Sequence, residues 1–318
     1  MIKEFNGGYL FVYFTGTEDS ASAEQLYLSL SRDGLNWQDY NNDQPFLTSN
    51  IGEKGIRDPF ILRKENNQGF VLMATDLSIF HRGGWSHTNA TVTGSRSMLI
   101  WDSKDLINWS NPRLVKMVGD SVGCVWAPES IYDAKVGKYL VYWASPSDRP
   151  THKMRILSSY TSDFVNFGKP KVFIDNDNDK LDVIDTTIIN DKGTYVRASR
   201  DGTLRLEKAS DLNGKWTKFA TLQDLNVGVV GDSVEGPEFA QLPDGRWCLY
   251  VDRHSQRTGY LPVLASDVTS NDPNKWQVPT NFNFGKLKKR HGTILRVTGS
   301  EYEAIKKAFS NQKVEGEI

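Results

Sequence analysis

Five short segments of this 318-residue chain place ionisable side chains at a recurring position. They are Arg57-Asp58-Pro59-Phe60-Ile61-Leu62, Trp126-Ala127-Pro128-Glu129-Ser130-Ile131, Val183-Ile184-Asp185-Thr186-Thr187-Ile188, Val234-Glu235-Gly236-Pro237-Glu238-Phe239 and Arg290-His291-Gly292-Thr293-Ile294-Leu295. In each, an acid or an imidazole (Asp58, Glu129, Asp185, Glu235, His291) stands near the head of an apolar, strand-like run. Polar groups at the head of buried strands cost free energy unless water, a ligand or an ion meets them. One such segment could be a turn; five in step are expected to converge on one place. Converging carboxyl groups suit glycosidic bond cleavage. One ionised group activates water, a second, protonated group gives its proton to the leaving oxygen, and a like charge nearby keeps that proton in place.

The elements that must position these residues repeat with them. Ser31-Arg32-Asp33-Gly34-Leu35-Asn36-Trp37 recurs as Ser103-Lys104-Asp105-Leu106-Ile107-Asn108-Trp109 and Thr161-Ser162-Asp163-Phe164-Val165-Asn166-Phe167. Looser copies run from Ser210-Asp211 to Trp216 and from Ser266-Asp267 to Trp276. Each copy follows an alternating stretch, so the Asp begins a turn and the aromatic is expected to begin the next strand and to pack between repeats. Apolar stretches such as Phe70 to Thr75, Tyr139 to Ala144, Thr194 to Ala198 and Trp247 to Val251 supply a further strand per repeat.

Four short strands per unit, repeated every roughly 50 to 70 residues, describe the blades of an all-β, five-bladed β-propeller. Its first strands line a central channel and bring the five polar positions together. Four blades are complete within the chain. The fifth takes its inner strand from His291 to Val297 and its outer strands from about residues 1–50, beginning with Tyr9 to Phe14, so pairing of the N- and C-terminal strands closes the ring and removes two sheet edges. Ser300-Glu301-Tyr302-Glu303 has capping-box spacing and predicts a short helix over about 300–310. No linker interrupts the pattern, so residues 1–318 read as one catalytic domain.

Composition narrows the ligand. Basic and acidic residues balance at 38 against 39 with no basic stripe, which argues against nucleic acid and anionic membranes and for a neutral ligand. The early apolar run from Tyr9 to Phe14 is too short for a signal or membrane segment, and Cys124 and Cys248 form no framework; a cytoplasmic location follows as an expectation.

The ordered set Arg57-Asp58-Pro59, Trp126-Ala127-Pro128-Glu129, Ile184-Asp185-Thr186-Thr187-Ile188 and Glu235-Gly236-Pro237 resembles the signature of glycoside hydrolase family 43 over residues 9–298. The resemblance implies a five-bladed propeller acting with inversion, with Asp58 as general base, Asp185 orienting the acid and raising its pKa, and Glu235 as general acid. It departs from the family at Glu129, where Asp is usual. It requires no cofactor, but allows a calcium ion on the axis near His291. Substrate contacts are expected from Arg57, Trp126, Glu129, Arg290 and Trp85, the last on the glycine-rich insertion Phe80 to Gly94. The expected activity is exo-acting release of terminal α-L-arabinofuranosyl groups, with β-xylosidase or galactofuranosidase as alternatives of the same fold.

Three competing readings are weaker. Gly119-Asp120-Ser121-Val122-Gly123 fits the elbow of serine hydrolases, but it is echoed by Val230-Gly231-Asp232-Ser233-Val234, so both read as connections into a blade. Fructan-cleaving, retaining propellers typically place Cys after the acid, where this chain has Gly236. A sugar-binding propeller without catalysis would repeat one site on several blades, whereas the five positions here differ. The histidines His81, His87, His152 and His254 lack ligand spacing and read as loop or rim residues.

Overall fold

The computed structural model describes residues 6–146, 153–176, 178, 180–229 and 233–310; His152 and the residues 230–232 of the echoed segment lie outside them. Among these described residues, twenty strands form five antiparallel four-stranded sheets. From the inside outward, the first blade is Ile56–Arg63, Phe70–Asp76, Ser97–Ser103 and Arg113–Lys116, and the second is Trp126–Asp133, Lys138–Pro146, Met154–Thr161 and Lys171–Ile174. The third is Ile184–Asp191, Thr194–Arg200, Leu204–Ala209 and Thr217–Thr221, and the fourth is Glu235–Gln241, Trp247–Asp252, Tyr260–Ala265 and Trp276–Gln277. The closing blade takes Thr293–Val297 as its inner strand and Gly8–Tyr13, Tyr27–Ser31 and Gln38–Asp39 as the rest. Its two chain ends pair antiparallel from Gly8 opposite Val297 to Val12 opposite Thr293. The five inner strands neighbour one another in order around a closed ring.

Packing follows the repeat. Five apolar clusters fill the five seams between blades, and each repeat aromatic enters the seam facing the preceding blade. Trp37 packs with Ala240, Leu242 and Tyr250; Trp109 with Leu10, Leu28 and Leu30; Phe167 with Val71, Met73 and Ile100. Trp216 and Trp276 do the same one and two seams further on. The turn before the aromatic is fixed by its Asp. Asp33, Asp105 and Asp163 each accept backbone N–H bonds from the residues two and three further on, and a side-chain amide bond from Asn36, Asn108 and Asn166. Trp276 begins a strand as expected, but in the first and second blades Trp109 and Phe167 make single bridges and the outer strand starts later, at Arg113 and Lys171. The C-terminal helix spans Gly299–Ala308, and its capping box is Thr298 with Glu301, two residues earlier than the spacing from Ser300 predicts. Thr298 has the extended backbone that lets its hydroxyl turn back onto the Glu301 N–H.

The elbow reading fails on geometry: Ser121 sits in a turn between the outer strand of the first blade and Trp126–Asp133, and no helix follows it.

Candidate active site

The inner strands are not regular, and their irregularity builds the site. Each of the first four is bulged at its head, between Arg57 and Phe60, Trp126 and Glu129, Ile184 and Thr186, and Glu235 and Glu238. The bulged residue has a left-handed backbone in all four: Asp58 (φ 47°), Ala127 (φ 46°), Asp185 (φ 48°) and Gly236 (φ 52°). A bulge adds a residue on one strand and re-aims its side chain, and proline, which has no N–H to give a ladder, is tolerated there, as at Pro59, Pro128 and Pro237. Matching the bulges sorts the axial residues into three tiers. The top tier is Arg57, Trp126, Ile184, Glu235 and Arg290. The middle tier is Asp58, Ala127, Asp185, Gly236 and His291. The third, deeper tier is Phe60, Glu129, Thr187, Glu238 and Thr293. The fifth member of each tier follows from Arg290, whose N–H donates to Phe14 at 2.9 Å, three residues before the pairing of Thr293 with Val12.

The tiers correct the expectation that Asp58, Glu129, Asp185, Glu235 and His291 share one phase. Glu129 lies a tier below the aspartates and Glu235 a tier above. A cavity of about 610 Å³ opens over the top tier. All five top-tier side chains line it, together with Asp58, Asp185, Trp85, Glu18, Asp19, His254, Arg257 and Lys288. Glu129 does not. Only 3% exposed, it accepts a 3.1 Å hydrogen bond from the Tyr142 hydroxyl beneath the cavity floor. It therefore leaves the set of substrate contacts.

Asp58 and Asp185 are each fixed by hydrogen bonding that links two adjacent blades. The Thr75 hydroxyl donates to Asp58 Oδ2 at 2.8 Å and accepts from the Ala127 N–H at 2.7 Å, which ties the first blade to the second. The Gly236 N–H donates to Asp185 Oδ2 at 3.0 Å and ties the third blade to the fourth. His291 sits between the two acids, its Nδ1 3.5 Å from Asp58 and 3.7 Å from Asp185. Burial works against a charge on His291, but Asp185, Asp58 and Glu129 outweigh it and push its pKa up to about 10. Burial likewise opposes the charge of Asp58, yet the bond and charge of His291, the charge of Arg57 and the Thr75 hydroxyl hold its carboxyl below the usual range. Asp185 goes the other way. Burial, only partly relieved by His291 and reinforced by Glu235 and Asp58, raises it to about 6.

Glu235 Oε1 meets Arg290 Nη2 at 2.7 Å, and His254 Nδ1 stands 3.7 Å from Glu235 Oε2, a rim position for that histidine. Arg290 Nε in turn binds Asp252 at 2.6 Å; Asp252 is fully buried. Opposite, Trp85 and Trp126 meet edge to face with ring centres 6.3 Å apart and form an aromatic wall. Trp85 is 48% exposed and donates through Nε1 to Glu18 at 3.0 Å. Arg57 pairs with Glu24 at 2.8 Å, and Glu24 also accepts from Ser78, Ile79 and Phe80, fastening the segment that leads to Trp85.

Several of these residues escape a reading by motif. Glu238 stands three places after Glu235, but nothing in an apolar run separates a tier-three carboxylate from a surface one. Thr75, Asp252 and Glu24 come from second strands and a connecting turn, where no repeat marks them. A calcium ion on the axis is not supported by the donor set: among the described residues, no group of three or more His, Cys, Asp or Glu side chains is arranged to hold a metal. His291 instead faces the carboxylates directly.

A family model described as a probable glycosyl hydrolase domain matches residues 4–303. An α-L-arabinofuranosidase of Bifidobacterium longum subsp. longum is 26% identical over 272 residues, which cover 74% of this chain and 25% of that protein, so the chain spans about a quarter of the relative's length. Among solved structures, a family-43 β-1,3-galactosidase bound to galactodeoxynojirimycin superposes with a TM-score of 0.58 at 12% identity, covering 87% of this chain and 92% of its own. An endo-1,4-β-xylanase from Bacteroides thetaiotaomicron gives 0.58 at 13% identity, covering 92% and 94%. A match that runs the length of the propeller, with the bulged acids beneath one cavity, places the chain in the family-43 group of glycoside hydrolases.

Proposed function

We propose that the chain is an inverting, exo-acting glycosidase that releases terminal α-L-arabinofuranosyl groups from short oligosaccharides. The observation that carries this is the meeting of Asp58, Asp185 and Glu235, from three different blades, in one cavity walled by Trp85 and Trp126. Asp58, kept ionised by His291, Arg57 and Thr75, is the base that takes a proton from the attacking water. Glu235, in the tier above, gives its proton to the leaving oxygen, and Asp185 lies beneath it as the positioning acid. The bulges aim both aspartates upward; the aromatic wall offers an apolar face to a sugar ring, which stacks on indole through its C–H groups. The arabinofuranosidase relative supports the choice of sugar. The two cysteines are buried and unpaired, which supports a reducing compartment and hence oligosaccharides taken into the cell.

A panel of nitrophenyl α-L-arabinofuranoside, β-D-xylopyranoside and β-D-galactofuranoside tests the sugar, with proton NMR of the first-formed anomer for stereochemistry. Release of arabinose as the inverted anomer is expected. Faster release of another sugar overturns the specificity, a retained anomer overturns the mechanism, and a protein that binds these sugars without cutting them is a lectin.

A further inference from the structure

The charges around the cavity are mostly matched. Arg57 is held by Glu24 and Glu18, and Arg290 by Glu235 and Asp252. Two cations lining the same cavity, Arg257 and Lys288, have no acidic partner among the described residues. Lys288 lies two residues before Arg290 and is half-buried. Arg257 ends the turn His254–Gln256, its N–H bonded to the His254 carbonyl at 3.1 Å, with a left-handed backbone (φ 54°) that a bulky residue adopts at some cost. That turn is the one that brings His254 to Glu235. Both cations therefore stand on the side of the cavity built by the fourth and closing blades, next to Glu235, while the tryptophan wall stands on the first and second. Burial and Arg290, with a smaller contribution from Arg257, lower the pKa of Lys288, only partly offset by the charges of Asp252 and Glu18.

We propose that Arg257 and Lys288 form a subsite for a carboxylate on the leaving part of the substrate, so that the preferred substrates carry a uronic acid beside the scissile bond. The proposal rests on Glu235 being the general acid, because the acid faces the leaving oxygen and so places these cations beside the leaving sugar. The chemistry fits a carboxylate. The guanidinium fork of Arg257 matches its two oxygens, and the Lys288 ammonium adds a compact charge and three donors. An anion between them also relieves their mutual repulsion, which a neutral sugar does not.

The test compares two oligosaccharides that carry the same terminal glycosyl group, one on a uronate and one on the methyl ester of that uronate. The expected kcat/KM ratio is about tenfold or more in favour of the uronate at low salt, shrinking as salt screens the charges. R257Q combined with K288Q should bring the ratio to about one, while R257K and K288R keep a preference. A wild-type ratio of one, or a ratio the double substitution does not change, overturns the subsite. If neither oligosaccharide is cut, calorimetric binding of methyl glucuronide against methyl glucoside decides. Uronate-selective binding that is lost in the double variant upholds the subsite and removes only the glycosidase reading; binding that ignores the two substitutions overturns the subsite itself.

Discussion

The third tier gives a sharp prediction about stability. Glu238 is fully buried in the ring, accepting from the Ile294 N–H at 3.2 Å, the Thr293 hydroxyl at 3.3 Å and the Thr187 hydroxyl at 3.5 Å. Burial outweighs these bonds and raises its pKa from 4.5 to about 7. The folded protein thus keeps a proton that the unfolded chain has released. The stabilisation from that proton is complete below the unfolded value of 4.5, declines as the pH rises, and is gone above about 7. Its size, at roughly 1.4 kcal/mol per pH unit, is on the order of 3 kcal/mol. Glu238→Gln keeps the shape and a carbonyl acceptor for Ile294 but cannot ionise. Its unfolding free energy relative to wild type should therefore climb by about 2.5 kcal/mol between pH 5 and pH 8, leaving the variant the more stable protein at the alkaline end. Asp185, raised to about 6, and His291, raised to about 10, pull in the same direction, so the variant still loses stability with rising pH, only less steeply. Urea unfolding followed by tryptophan fluorescence at pH 5, 6, 7 and 8 measures this. Parallel curves for the two proteins would show that Glu238 is ionised in the fold and that the tier is not a proton-holding layer.

Other outcomes follow from the same geometry. Glu235→Ala should lose far more activity on an oligosaccharide than on an aryl glycoside whose phenolate leaves unaided, whereas Asp58→Ala should lose both; equal damage from Glu235→Ala would move the acid elsewhere. His291→Gln removes the cation that holds Asp58 below its usual range, so the acid limb of the kcat/KM profile should move to higher pH, by about one unit or more; an unmoved limb would detach His291 from the base. Gly236→Ala puts a methyl group 2.7 Å from His291 Cγ at a φ of +52°, and should cost about 2–5 kcal/mol in unfolding free energy. Deleting residues 291–318 removes the inner strand of the closing blade, so cooperative unfolding should disappear; a truncated protein with a sharp melting transition would contradict closure by the two chain ends.

The propeller was readable because its blades must bury the same seams. A turn that starts with Asp33, Asp105 or Asp163 and delivers an aromatic to the seam leaves a repeated string of residues, and the head of each inner strand keeps step with it. The depth of each axial side chain was not readable. A bulge shifts one residue to the opposite face without altering the spacing between repeats, so Glu129 and Asp185 look equivalent in the chain although one lies beneath the floor and the other lines the cavity. Arg257 and Lys288 were missed for another reason: they come from a turn and a connecting segment, and only the fold brings them to one wall.

The middle tier shows why one scaffold position carries such different residues. Each bulge aims its residue at the axis, and the axis has room for few side chains. Asp58, Asp185 and His291 occupy it; Ala127 and Gly236, at the same position in the other two blades, contribute almost nothing but backbone. At Gly236 this is obligatory, since a Cβ there would collide with the His291 ring. The two small residues instead supply N–H groups, Ala127 to Thr75 and Gly236 to Asp185. The fivefold symmetry of the backbone is thus broken by which blades withhold a side chain. That is how a repeat architecture arrives at a single centre, with two carboxyl groups, Asp58 and Asp185, on either side of one histidine, His291.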